Sequence, residues 1–252
     1  MSQTRKYVEV TRRDRLVELR LHDGNDGPFL WGGESAGELG EVLGEIARDP
    51  TVGCVILTGS GDIFCGQGMV LDPLPKLDAR DWEAIRWHGE HLLMNLLGIQ
   101  APIIACVNGP IIMHPEIPLL SDIVLAAEDS SFHDGGHFTV NAVPGDGLHI
   151  FMPLLMGLTR ARYFLFTGQT LNAKEAKEIG LVNELHPREN LLPRARELAA
   201  EILKRNPLVV RYTRLLLVQH VRKLMHDMLG YGGALEGLAI IDEGLRQDAA
   251  KK

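Results

Sequence analysis

Three runs, GCVILTG at 53–59, APIIACVNGP at 101–110 and DIVLAAE at 122–128, are apolar along nearly their whole length. A strand with one wet face alternates apolar and polar residues, whereas a continuous run suits a strand buried on both faces. Such strands need cover on each side. The spacing predicts a helix from about Asp81 to Leu97 between the first two runs, and only the short segment IIMHPEIPLLS between the second and third. Strands alternating with helices specify an α/β core with parallel pairing.

Around that core the pattern changes. YVEVTRRDRLVELRLHD alternates on both sides of a charged turn and reads as a hairpin over 7–22. SAGELGEVLGEIARD has helical spacing, with Ser35 and Glu38 placed as a capping box. VNELHP (182–187) reads as one more short strand. From His149 onward the chain is mostly helical. The expected division is a core over 1–190 and a helical region over 191–252, packed outside the core. The stretch LLLVQHVRKLMHDMLGYGGALEGLAIID carries more apolar surface than one exposed helix needs, which predicts a subunit interface. The closing QDAAKK is expected to fray.

Composition narrows the functional class. At 252 residues with 45% apolar side chains, the chain is long enough for one large domain or a domain with a helical appendage. A net charge of -7 argues against a nucleic-acid or acidic-membrane surface as partner. The sequence shows no signal-peptide pattern and no run of membrane-spanning length, so a cytoplasmic location is expected. Cys54, Cys65 and Cys106 sit in apolar segments and read as core residues of a reducing compartment.

The chemistry concentrates in FHDGGHFTVNAVPGDG, 132–147, which sets His133, Asp134, His137 and Asp146 among glycines and a proline. Glycine and proline break both helix and strand, so this is a loop, and loops carry function more often than scaffolding. An acid–histidine pair supplies a base whose ordinary pKa, about 6.5, lies near neutral pH. His133, Asp134 and His137 match no strong metal-ligand spacing, so no metal is expected. His88 and His91, one turn apart in WHGEHLL, read as a solvated helix face. GSGDIFCGQG lacks the Lys-Ser/Thr of a phosphate loop, which argues against nucleotide binding there.

Several phrases in order resemble the crotonase (enoyl-CoA hydratase/isomerase) superfamily: VILTGSGDIFCGQG, PIIACVNGP, DIVLAAEDSSF, AVPGDG, LTRARYFLFTGQTLNAKEAKEIGLVNEL and LEGLAIID. The resemblance implies a crotonase-type spiral of ββα units with a C-terminal helical trimerisation region. It also implies two backbone N–H groups that form an oxyanion hole.

Three positions depart from the usual pattern. Met113-His114-Pro115 replaces the glycine run before Glu116. The first oxyanion loop reads FCGQGM, which keeps glycine at Gly68 but has Met69 in place of an acid. The tail AIIDEGLRQD is acidic and without Phe, where typical members carry a Phe and basic residues that help hold CoA.

HPEIPLLSDIVLAAE, HDGGHF, VPGDG and LEGLAIID are instead similar to the branch of 6-oxocamphor hydrolase and other β-diketone hydrolases. That branch has the same fold and cleaves a C–C bond by a retro-Claisen reaction without a cofactor. The resemblance implies His137, Asp146, His114 and Glu236 as the reacting groups, with Trp31 and Gly68 binding substrate. A further histidine of the branch, near the tryptophan, corresponds to Ala36. The implied partners are a small cyclic or bicyclic diketone and further copies of the chain, as a homotrimer or a dimer of trimers. The competing expectation is an acyl-CoA hydratase or isomerase using Glu116 as acid and base; the third is a silent trimeric scaffold.

Overall fold

The computed structural model describes residues 2–68 and 76–250. Strand β1 (Ser2–Thr4) pairs antiparallel with β2 (Val8–Arg13), which turns at Asp14 and Arg15 into β3 (Leu16–Leu21). This is the expected hairpin, with one further strand on its edge. After β3 come a short strand, β4 (Phe29–Trp31), and a helix, α1 (Gly33–Ala47). The same order repeats with β5 (Cys54–Gly59), β6 (Cys65–Gln67) and α2 (Ala79–Gly98). It repeats again with β7 (Ile103–Val107), the single extended residue Ile111 and α3 (Glu116–Leu119). A fourth round opens with β8 (Ile123–Ala127) and β9 (Ser131–Phe132) and reaches helix α4 (Leu148–Met156).

The long strands β3, β5, β7 and β8 pair in parallel within one sheet. The short ones form a second strip: β4 pairs parallel with β6, Cys65 bridges to Ile111, and Ile111 bridges to Phe132. Each turn of chain thus adds one rung to each layer, a spiral of ββα units. The rest of the chain runs through α5 (Leu158–Thr167), β10 (Leu171–Asn172), α6 (Ala173–Glu178), β11 (Glu184–His186), α7 (Arg188–Leu203) and α8 (Pro207–Ala250). β11 closes the large sheet in parallel beside β8, as VNELHP foretells.

The apolar runs are continuous because two cores press on one sheet. Val55, Leu57 and Val107 face the large core with Leu43 of α1 and Leu96 of α2. Cys54, Ile56, Ile104, Cys106 and Leu125 face a second core, closed by Leu191, Ala195 and Ala199 of α7. Helix α7 therefore covers the sheet although most of it lies beyond residue 190. Burial pushes the thiols of Cys54 and Cys106 up to about 12, so they stay protonated and act as small core residues.

Two sequence expectations are corrected. Helix α1 starts at Gly33 with Gly32 as its cap, so Ser35 sits inside the first turn. Its hydroxyl accepts from the Gly32 N–H at 3.0 Å and donates to the Leu30 carbonyl at 2.7 Å. Glu38 is not a capping partner: its carboxylate accepts the backbone N–H groups of Lys6, Tyr7 and Val8. The second correction concerns the tail, where α8 continues through Ala250, across most of the segment expected to fray.

Candidate active site

Five stretches of chain line a cavity of about 240 Å³ bounded by α2 and α8. Its walls are largely apolar, with Trp31, Trp82, Leu93, Met113, Leu229 and Ile240 among them. Set into these walls are His114, Glu116, His137, Asp146 and Glu236. The structure thus brings together five of the six site residues expected from sequence, Trp31 included. It does not bring Gly68 there. Gly68 lies at the end of the short strip, where its N–H donates to the Trp31 carbonyl at 3.1 Å, and it is absent from the cavity wall. Met69 falls outside the described residues.

His114 precedes α3 and adopts a left-handed backbone, φ 58°. That region favours glycine, the residue type the resemblance leads one to expect there. The imidazole lies flat against the Trp31 indole, ring centroids 3.6 Å apart. Its Nδ1 meets Glu116 Oε1 at 2.5 Å and Asp146 Oδ2 at 3.4 Å.

His137 is flanked on both ring nitrogens. Nδ1 meets Asp134 Oδ1 at 2.6 Å. Nε2 lies 3.3 Å from Asp146 Oδ2 and 3.5 Å from Glu236 Oε1. Asp146 therefore stands between the two imidazoles, whose rings meet edge to face at 6.0 Å.

Glycines in the VPGDG loop and on α8 make this convergence possible. A Cβ at Gly145 would lie 2.3 Å from the Gly232 carbonyl oxygen, and one at Gly237 would lie 2.2 Å from Trp82 Nε1. The VPGDG loop and the Trp82 side chain can therefore close onto the helix on either side of Glu236. Trp82 Nε1 donates to the Gly233 carbonyl at 2.9 Å, and His149 Nδ1 meets the Pro144 carbonyl at 3.0 Å.

The electrostatics follow from burial set against charge pairing. Burial disfavours the charged form of His114, but Glu116 and Asp146 outweigh it and raise the imidazole to about 9. Burial opposes the charge of His137 too, and there Asp146 and Asp134 outweigh it, so the imidazolium persists well above the ordinary range. Burial would also protonate Asp146, yet the charge of His137 and the contact with His114 hold its carboxyl well below the ordinary range. For Glu116 and Glu236 burial wins over the histidines, and both are raised. The site thus sets two imidazoles whose charged forms are favoured around one carboxylate whose charged form is favoured, with two further carboxyls shifted upward beside them. Such an arrangement can stabilise a developing oxyanion and exchange protons with a bound molecule.

Among the described residues, His114, Glu116 and Asp146 form the one group with donor atoms close enough to suggest a metal. The 2.5 Å separation of His114 Nδ1 and Glu116 Oε1 is a hydrogen-bond distance. Two ligands of one ion, each roughly 2 Å from it, stand farther apart than that. His133 and Asp134 of the HDGGH motif do not join this group.

The enoyl-CoA hydratase/isomerase family profile matches residues 33–229. The chain belongs to the enoyl-CoA hydratase/isomerase family. Among sequence relatives, a crotonyl-CoA hydratase of Syntrophomonas wolfei is 30% identical over 181 residues, 70% of this chain and 68% of the relative. Among solved structures, a beta-diketone hydrolase from the cyanobacterium Anabaena sp. PCC 7120, bound to (S)-3-oxocyclohexyl acetic acid, is 38% identical with a TM-score of 0.89. The match covers 94% of this chain and 95% of that one. An enoyl-CoA hydratase/isomerase from Mycobacterium paratuberculosis is 25% identical, with a TM-score of 0.86 over 98% of this chain and 99% of that one. This family enzyme therefore stands between hydrolase and hydratase relatives. Among the described residues no helix is long and apolar enough to cross a membrane.

Sequence reasoning passed over two members of the site. Asp134 stands out in the HDGGH loop and as a potential metal ligand but is given no role beside His137, although a three-residue spacing within a glycine turn also permits an acid–imidazole contact. Trp82 belongs to the helix predicted from Asp81, and nothing local marks its ring as cavity wall. His88 and His91 are both exposed on α2, as expected, and His88 also borders the cavity.

Proposed function

We propose that this chain is a cofactor-independent hydrolase that cleaves a C–C bond of a cyclic or bicyclic β-diketone, giving a keto acid. The observation that carries the reading is the histidine at position 114. It occupies the left-handed backbone position with an imidazole stacked on Trp31, in the same cavity wall as His137, Asp146 and Glu236. A family site built for a thioester oxygen uses backbone N–H groups there, and Pro115 has none to offer. The 38% identity to the Anabaena beta-diketone hydrolase points the same way.

In the proposed reaction His137 Nε2, once unprotonated, takes a proton from water as the water oxygen bonds to one ketone carbon. Glu236 and Asp146, both beside Nε2, orient that water. The His114 imidazolium and the Trp31 indole N–H stabilise the tetrahedral oxyanion. The oxyanion then collapses to a carboxyl group, the C–C bond breaks, and its electron pair leaves as the enolate of the second ketone. The proton taken from water ends on the enolate carbon. Ala36, buried in the cavity wall, leaves room where a histidine stands in the branch.

The second reading, an acyl-CoA hydratase or isomerase, rests on Glu116. That carboxyl is 2% exposed, lines the cavity and is raised by burial. The deciding experiment screens cyclic 1,3-diketones with purified protein and follows loss of their ultraviolet absorbance. In ¹⁸O-labelled water, one heavy oxygen enters the new carboxylate. No turnover of any cyclic diketone, with crotonyl-CoA hydrated instead, establishes the second reading. The exposed apolar faces of α5 and α8, Phe166, Leu216 and Leu217 among them, support assembly as a homotrimer or a dimer of trimers.

A further inference from the structure

We infer that Asp134 is the positioning residue of His137, fixing its tautomer from the side away from the cavity, while Asp146 acts on the reacting side. This rests on the reading of His137 as general base. Two carboxylates flank one ring, and they differ in the nitrogen they meet, in hydrogen bonding and in whether they line the cavity. Asp134 Oδ1 meets Nδ1 at 2.6 Å in a hydrogen bond between side chains that are each 3% exposed. Asp134 is not part of the cavity wall. Asp146 lines the cavity and stays 3.3 Å from Nε2, although its two carboxylate oxygens are themselves buried. Neither of its oxygens accepts a hydrogen bond among the described residues.

A base that takes a proton from water needs its lone pair on the cavity side, and therefore its own N–H on the far nitrogen. Whatever accepts that N–H sets the tautomer and steadies the imidazolium that forms. In this chain that acceptor is Asp134. The pair is also locally self-contained, since both residues belong to the single HDGGH turn. Asp146 arrives on a separate loop that packs against α8. The charged and titratable groups facing His137 are Asp134 at Nδ1, Asp146 and Glu236 at Nε2, and the His114 ring at its edge.

The test is ¹⁵N NMR of the full chain labelled at histidine, with His137→Gln used to assign the signal. In the wild type, Nδ1 of His137 stays protonated through the titration and only Nε2 gains and loses a proton. In Asp134→Asn the midpoint falls by about one to three pH units, the usual effect of losing an adjacent opposite charge. The neutral ring then becomes a mixture of tautomers, because an amide can donate as well as accept. Asp146→Asn also lowers the midpoint but keeps the Nδ1–H form.

On a diketone that the wild type opens, Asp134→Asn lowers kcat by roughly two to four orders of magnitude with little change in KM. Asp134→Glu recovers part of that loss, and the pH profile of Asp134→Asn moves to lower pH with the NMR midpoint. A wild-type neutral His137 protonated on Nε2 overturns the assignment, and that result needs no variant to fold. So does loss of the Nδ1–H form in Asp146→Asn rather than in Asp134→Asn. If no diketone is turned over, the functional reading fails, while the NMR measurement still decides the role of Asp134.

Discussion

The Trp31 indole and the His114 imidazole stack face to face, with planes 25° from parallel. This contact steadies a residue that has reason to move. A side chain in the left-handed region costs roughly 1–2 kcal/mol. An aromatic stack contributes about 0.5–1.5 kcal/mol, and the contacts of Nδ1 with Glu116 and Asp146 add to it. Trp31 therefore has two separable roles, a platform for His114 and an N–H donor for the oxyanion. Trp31→Phe keeps a ring and loses the donor, and kcat/KM is expected to fall about tenfold, the worth of one hydrogen bond to a developing charge. Trp31→Ala loses both and is expected to fall about a hundredfold. Wild-type kcat/KM in Trp31→Phe removes the indole N–H from the mechanism.

Activity and stability are expected to move in opposite directions with pH. His137 must lose its proton to act as base, and its neighbours hold it protonated well above the ordinary range. The rate at low substrate concentration should therefore rise through an apparent pKa above about 6.5. Stability runs the other way. His114 is raised to about 9, so the stabilisation it gains from Glu116 and Asp146 is complete below about 6.5 and is lost as pH rises through 9. His137 adds in the same direction, and Asp146, with its depressed carboxyl, is constant across this window. Calorimetry from pH 6.5 to 9 should show a falling Tm, flattened in His114→Gln. A Tm that rises over this range contradicts the charge states assigned to both histidines.

How far such a site could be read from sequence depended on the range of the interactions. The strands at 54–59, 103–107 and 123–127 were legible because burial on both faces leaves an unbroken apolar run. The short strip was not, since strands as brief as Phe29–Trp31 and Ser131–Phe132 have no periodicity to detect. Ser35 and Glu38 carry the spacing of a capping box, but Glu38 is held by three amides some thirty residues earlier, a tertiary fact. The loop 132–147 announced its chemistry through composition. Which carboxylate faces which nitrogen of His137 was not legible, because it depends on how α8 receives the VPGDG loop.

Gly232 governs that reception. Alanine normally stabilises an exposed helix interior by up to about 1 kcal/mol relative to glycine. At Gly232 the sign reverses, because a Cβ would lie 2.2 Å from His149 Cε1 and 2.5 Å from the Gly145 carbonyl oxygen. The loop must then move, and Asp146 moves with it. Gly232→Ala is expected to cost about 1–3 kcal/mol in urea unfolding, the usual penalty of overpacking, and to lower kcat. Gly37→Ala, on α1 with nothing within 4 Å of the added carbon, is the control and should be neutral or stabilising. Wild-type stability and kcat in Gly232→Ala would show that the loop has another route to its position.

The apolar face of α8 makes its own prediction. Leu216 and Leu217 are 73% and 72% exposed in one chain, an area of hydrocarbon that a solitary helix does not sustain in water. Sedimentation is expected to give three or six times the 27.8 kDa chain mass. Leu216→Glu with Leu217→Glu should reduce it towards one. A monomeric wild type at micromolar concentration refutes the assembly.

The two enzyme readings separate most cleanly on CoA esters. An oxyanion donor contributes only when it sits about 2.7–3.1 Å from the developing charge. Pro115 has no N–H, and the His114 ring occupies the space against Trp31 where glycine would leave an opening. The end of α8 carries Asp242, Glu243 and Asp248 beside a single Arg246, an acidic surface that does not favour a nucleotide's phosphates. Asp248 pairs with Lys76 at 3.1 Å, which further occupies a cation on that side. Crotonyl-CoA and acetyl-CoA are therefore expected to bind weakly or not at all in isothermal titration. Glu116→Gln should reduce diketone cleavage only through its contact with His114, by about tenfold or less, since no step of the proposed reaction passes through that carboxyl. Micromolar affinity for CoA esters, with crotonyl-CoA hydration abolished by Glu116→Gln, would instead make Glu116 the acid and base of a hydratase and His114 its accessory.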